Sequence, residues 1–151
     1  MREWQVASEL DTERFARHLG SVLGGGDAVG LSGGLGAGKT TLVRYLVEAL
    51  GGDTRHVSSP TYTLEHEYRL SDGRQIDHWD LYRVSMLPGE LCEPPTRNTI
   101  RIVEWPERCP ELLDELDLHL RLDIVDEAGR RIYLQGARAE ELYTRLSRDS
   151  T

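Results

Sequence analysis

The sequence predicts a three-layer α/β domain in which parallel and antiparallel strands share one sheet, and three observations predict it. Ala28-Val29-Gly30-Leu31-Ser32 is apolar enough for burial on both faces, runs into a glycine-rich loop, and is followed by an amphipathic helical stretch. From Thr61 the period changes to two, and Asp72-Gly73 offers a hairpin turn. Leu116, Leu118, Leu120, Leu122 and Ile124 then alternate cleanly before a second turn at 126–129.

Each element has a local reason. Glu3 to Ala7 reads as a short strand. Ser8 is placed to cap a helix whose Phe15, Ala16, Leu19, Val22 and Leu23 share one face, and Gly24-Gly25-Gly26 stops it. The helix after the glycine loop turns Leu42, Val43, Leu46, Val47 and Leu50 inward and closes at Gly51-Gly52. Along 61–70, Tyr62, Leu64, His66, Tyr68 and Leu70 point one way; Thr61, Thr63, Glu65, Glu67 and Arg69 point the other. A two-residue type I′ turn at Asp72-Gly73 would return Gln75 to Leu81 with Ser71 opposite Arg74. That register sets Glu65 opposite Asp80 and Glu67 opposite His78. Facing carboxylates repel unless a cation or an arginine lies between them, which suggests an ion near Asp80. Ser85 to Asn98, with Pro88, Pro94 and Pro95, reads as an exposed loop or broken helix. Ile100 to Val103 forms a strand ending at Glu104-Trp105-Pro106. The second hairpin returns along Arg131 to Leu134, and a terminal helix carries Leu142 and Leu146. No repeat or long linker divides the chain, so one domain is expected over 1–151.

Composition narrows the setting. With 18 Lys+Arg against 26 Asp+Glu, the net charge of -8 argues against a domain that grips DNA or RNA phosphates by itself. No apolar run is long enough to span a bilayer, so no membrane is expected, and the N-terminal residues lack the apolar stretch of a secretory signal. Cys92 and Cys109 form no Cys-x-x-Cys pair, which fits a reduced, cytoplasmic setting. Lys39 is the sole lysine, an imbalance that reads as a preference for arginine codons, yet it lies inside the strongest motif of the chain.

That motif is Gly33-Gly34-Leu35-Gly36-Ala37-Gly38-Lys39-Thr40, which fits the phosphate-loop pattern G-x-x-x-x-G-K-[ST] and has a strand before it and a helix after it. Glycines let backbone N–H groups approach phosphate oxygens, and the helix N-terminus adds its positive end. Lys39 would reach the β- and γ-phosphates, and the Thr40 hydroxyl would bind Mg²⁺. The fold class is therefore P-loop NTPase-like. Hydrolysis further needs a carboxylate near the metal or water and a segment that senses the γ-phosphate. Glu104 ends an apolar strand where ligands lie in open α/β sheets; on position alone, a merely solvated acid is an equal reading. Ser58-Ser59-Pro60-Thr61-Tyr62-Thr63 reads either as that sensor or as an ordinary hydroxyl-rich turn. His78-Trp79-Asp80 is similarly open, since a lone histidine is more often packed than a ligand.

Four blocks in order decide among these. Gly-Leu-Gly-Ala-Gly-Lys-Thr-Thr (34–41), Ser-Pro-Thr-Tyr-Thr-Leu (59–64), His-Trp-Asp-Leu-Tyr-Arg (78–83) and Val-Glu-Trp-Pro-Glu (103–107) together resemble the TsaE (YjeE) family of small bacterial ATPases over nearly the whole chain. The resemblance implies an ATPase that works with TsaB and TsaD in making threonylcarbamoyl-adenosine in tRNA. It implies that Gly33 to Thr41 hold the triphosphate, with Thr40 and Glu104 at Mg²⁺ and Asp80 an essential acid beside the metal and attacking water. It further implies that Thr61 sits in a switch-like loop near the γ-phosphate, Trp105 next to the nucleotide, Thr12 near its base and Arg130 close to it. The family usually follows the Asp-Leu-Tyr-Arg block with a charged, helical stretch; here Ser85 to Pro95 looks shorter and proline-broken.

The leading reading is thus an ATPase coupled to a protein complex, which would hold the tRNA in this acidic chain's stead. A small-molecule kinase with the same phosphate loop is a second reading, kept alive by Arg97 and Arg101 near the broken loop. A non-hydrolysing nucleotide-sensing module is a third.

Overall fold

A computed structural model describes residues 1–55, 57 and 64–150. Among the described residues seven strands form one sheet: β1 (Arg2–Val6), β2 (Ala28–Ser32), β3 (Glu65–Arg69), β4 (Gln75–Asp80), β5 (Thr99–Glu104), β6 (Leu118–Ile124) and β7 (Arg130–Gln135). Their order across the sheet is β1-β7-β6-β2-β5-β4-β3. The centre is parallel, with β2 between β5 and β6 and β4 beyond β5; the pairs β1–β7, β6–β7 and β3–β4 are antiparallel. Every residue of β2 is buried, as the two-sided apolar pattern requires of a central strand.

Three helices cover one face: α1 (Glu9–Val22), α2 (Lys39–Ala49) and α3 (Ala139–Asp149). Ser8 caps α1, its hydroxyl accepting from the Asp11 N–H at 3.2 Å. Phe15, Leu19, Leu42, Leu46 and Leu142 pack with Val29, Leu31, Ile100, Ile102, Leu118 and Leu120 into the main core. The other face carries short 3₁₀ turns at Gly89–Cys92, Pro106–Arg108 and Pro110–Glu115. There Leu91, Cys109 and Leu112 pack with Trp79, Leu81 and Val103 in a second cluster. The third layer is thus built of turns, because prolines at 88, 94, 95, 106 and 110 interrupt any longer helix on this side.

One expectation fails. The first hairpin is closed by three residues, Ser71-Asp72-Gly73, with the Leu70 N–H donating to the Arg74 carbonyl at 2.8 Å. A type I′ turn needs positive φ at both central residues, whereas here only Gly73 has it, at 89°. The added loop residue shifts the register by one, so Glu65 faces Trp79, Glu67 faces Asp77 and His66 faces His78. Glu65 is therefore on the sheet face away from Asp80, and the ion inferred from their facing falls. Asp80 instead pairs with Glu104 on β5.

Candidate nucleotide site

The site forms where β2, β4 and β5 end. Gly33, at φ 146°, leaves β2 so tightly that a Cβ there would stand 2.6 Å from the Leu122 carbonyl oxygen. Gly38, at φ 100°, is the left-handed residue from which α2 starts. Between them the chain closes a loop, and a cavity of about 550 Å³ opens beside it.

Lys39 stands at its wall, 6% exposed, with Nζ donating to the Gly33 carbonyl at 2.6 Å and to the Gly34 carbonyl at 2.9 Å. Burial pushes its pKa below the usual lysine range, and the charges of Glu104, Asp80 and Glu107 counter that shift. An ammonium has three donors, so two carbonyls leave one for the cavity. Its Nζ also lies 4.5 Å from the centroid of the Trp105 ring. Trp105 is the one described non-glycine residue at positive φ, 59°, and its N–H donates to the Leu31 carbonyl at 3.0 Å. Its ring packs on Tyr82, centroids 4.8 Å apart, and Arg108 stands over both rings.

Two carboxylates face the same space from neighbouring strand ends. Glu104 is 2% exposed; the Thr40 hydroxyl lies 3.4 and 3.3 Å from its two oxygens, and His78 Nε2 lies 2.5 Å from Oε2. Asp80 is oriented by the Tyr82 N–H, which donates to Oδ1 at 2.9 Å. Leu35, Gly36, Ala37, Gly38, Thr40 and Thr41 border the cavity, with Asp80, Glu104 and Trp105 completing it. Among the described residues no three His, Cys, Asp or Glu side chains make a self-sufficient metal site. A hydroxyl beside two carboxylates and room for phosphate oxygens is instead the donor set suited to Mg²⁺, which is usually held jointly with its substrate.

Other expected residues stand elsewhere. Gly33 and Gly34 contribute carbonyl oxygens to Lys39 rather than cavity wall. Thr12 does not border the cavity: it lies on α1, its hydroxyl donating to the Ser8 carbonyl at 3.3 Å. Arg130 braces the loop from outside, Nε donating to the Ala37 carbonyl at 2.9 Å and Nη2 to the Gly36 carbonyl at 3.4 Å. Thr61, with the rest of the Ser58 to Thr63 block, lies outside the described residues. Leu64, Tyr82 and Arg83 also line the cavity, although the sequence reading gave them no role at the site. Tyr82 and Arg83 had a signal, since they lie two and three residues past Asp80, just beyond a strand end.

The model of the family described as "Threonylcarbamoyl adenosine biosynthesis protein TsaE" matches residues 6–132. The chain belongs to the TsaE family. It is 38% identical to the tRNA threonylcarbamoyladenosine biosynthesis protein TsaE of Aquifex aeolicus over 133 residues, 87% of this chain and 94% of that protein. It is 32% identical to the Bacillus subtilis TsaE over 151 residues, 97% of this chain and 94% of that one. The crystal structure of Bacillus subtilis YdiB superposes with a TM-score of 0.69 at 26% identity, covering 99% of this chain and 96% of that one. In this TsaE chain the proline-broken stretch is anchored by Leu91, 5% exposed in the second cluster. No helix among the described residues is long and apolar enough to cross a membrane.

Proposed function

We propose that this TsaE-family protein is a single-domain, cytoplasmic ATPase that hydrolyses ATP with Mg²⁺ in support of the TsaB–TsaD complex during threonylcarbamoyl-adenosine modification of tRNA. The observation that carries the reading is the convergence of Lys39, Thr40, Asp80 and Glu104 on one cavity beside a glycine loop. Membership in a family of threonylcarbamoyl-adenosine biosynthesis supplies the pathway.

In this reading the loop N–H groups and the start of α2 bind the phosphates. Lys39 places its charge at the β- and γ-phosphates. Thr40, Glu104 and Asp80 would hold Mg²⁺, which when bound neutralises charge on the β- and γ-oxygens. Asp80, fixed by the Tyr82 N–H, orients the attacking water. Trp105 lies against the nucleotide and keeps Lys39 in place. Thr61 senses the γ-phosphate, Arg130 stiffens the loop, and Thr12 approaches the base. The net charge of -8 fits tRNA held by the partners rather than by this chain.

The test is phosphate release from Mg·ATP by the protein alone and with TsaB plus TsaD. Weak activity that changes markedly with the complex, and is lost in Lys39→Ala, is expected. Phosphate transferred to an organic acceptor would show a kinase instead. Binding without hydrolysis in either condition would show a sensing module.

A further inference from the structure

We propose that His78 is a positioning residue for Glu104: its Nε2–H fixes one carboxylate oxygen, Oε2, so that the other, Oε1, stays turned to the cavity. The inference rests on the reading of Glu104 as a Mg²⁺-associated carboxylate.

A carboxylate as buried as Glu104 needs strong donors close by. Thr40 offers one, but at 3.3–3.4 Å from the two oxygens it is long and does not choose between them. The 2.5 Å contact from His78 Nε2 does choose, and it chooses Oε2. His78 is itself fixed. It is wholly buried, and its Nδ1 lies 3.1 Å from the Tyr68 hydroxyl. With Nε2–H donating to Glu104, Nδ1 accepts the Tyr68 proton; the hydroxyl oxygen, 3.4 Å from His66 Nδ1, is then an acceptor in turn. The chain of contacts runs from edge strand β3 through β4 to β5. It exists only because the three-residue hairpin loop sets Tyr68 and His78 on one face. Groups that fix a metal-associated carboxylate tune metal affinity without touching the metal.

Two polar variants separate the donor from the mere filling of space. Gln at position 78 can place an amide N–H where Nε2 stands; Asn reaches only as far as Nδ1. Mg²⁺ is titrated into protein carrying a fluorescent ADP analogue, and analogue affinity is measured again in EDTA. In His78→Asn, Mg²⁺ affinity is expected to fall about 10- to 100-fold, with little change in EDTA affinity. His78→Gln is expected to stay within about threefold of wild type. Tyr68→Phe, which removes one hydroxyl and keeps the packing, is expected to weaken Mg²⁺ affinity by a smaller factor, and it stands in if His78→Asn fails to fold. Unchanged Mg²⁺ affinity in His78→Asn, or in Tyr68→Phe if that is the variant that folds, overturns the inference. So does equal impairment of the Gln and Asn variants. If analogue binding by the wild type ignores Mg²⁺, the metal reading of Glu104 fails with it.

Discussion

The Lys39 ammonium stands over the Trp105 indole, 4.5 Å from the ring centroid, and the indole reaches that place through a left-handed backbone. Such a conformation costs about 1–3 kcal/mol in a non-glycine residue, so the surrounding contacts must enforce it. The ring, in turn, limits where the ammonium can go. Trp105→Ala is expected to weaken nucleotide affinity by about 3- to 30-fold, the range for a partly desolvated cation–π contact. A fluorescent-nucleotide titration checks this, and unchanged affinity would show the stacking to be incidental.

Asp80 and Glu104 end adjacent parallel strands and face one cavity. Asp80→Asn and Glu104→Gln should each reduce hydrolysis by about 100-fold or more, since each removes charge aimed at the reacting phosphate and its metal. Affinity for ATP in EDTA should hold or rise, because a negative charge beside the phosphates has gone. Loss of binding in EDTA would point to collapse of the site and count against the assignment.

Arg130 ties the glycine loop to the second hairpin. Its guanidinium also donates to the Asp126, Glu127 and Gly129 carbonyls, so one side chain spans both segments. Arg130→Ala is expected to lower nucleotide affinity about 10- to 100-fold, in line with the loss of a charged hydrogen bond of about 1.5–3 kcal/mol. Hydrogen exchange should show faster exchange of the loop amides at 33–38; protection equal to wild type would refute the bracing role.

Glu65 introduces a pH dependence. Its hydrogen bond to Asp77, then burial, then the charges of Asp77, Glu67 and Glu90 push its pKa up to about 8. Arg101 Nε lies 3.3 Å from Asp77 Oδ2, while Oδ1 meets no such donor, so the proton on Glu65 is the hydrogen this carboxylate pair shares. The folded protein keeps that proton up to pH about 8, whereas the unfolded chain loses it near 4.5. Its stabilising contribution is therefore full below pH 4.5 and is lost progressively as pH rises to about 8. Denaturant midpoints between pH 5 and 8 should fall for wild type and fall less steeply for Glu65→Gln. Identical slopes would contradict the shared proton.

Much of this was legible in the chain. β2 and the helices came from hydrophobic period and caps, and the phosphate loop from its spacing, because these signals are local. Glu104 was legible as a strand-end acid and Asp80 through the family resemblance, but their adjacency depends on β4 pairing with β5, which no local pattern specifies. His78 stayed open in the sequence because its partners, Tyr68 and Glu104, come from two other strands. The hairpin register was missed because Asp72-Gly73 suits both a two-residue loop and a three-residue loop with glycine last. Thr12 and Arg130 entered through resemblance alone; the structure puts the first on α1, outside the cavity's lining, and the second behind the loop.

The length of that hairpin loop reaches further than the turn itself. A two-residue closure would swing Glu65 and Glu67 to the side of Asp80 and Glu104, and turn Tyr68 and His66 outward. The mouth of the glycine loop would then present additional anionic groups to a ligand that is itself a polyanion, and the Coulomb repulsion would oppose its entry. One residue between Leu70 and Arg74 thus sets the electrostatic potential that an incoming triphosphate meets.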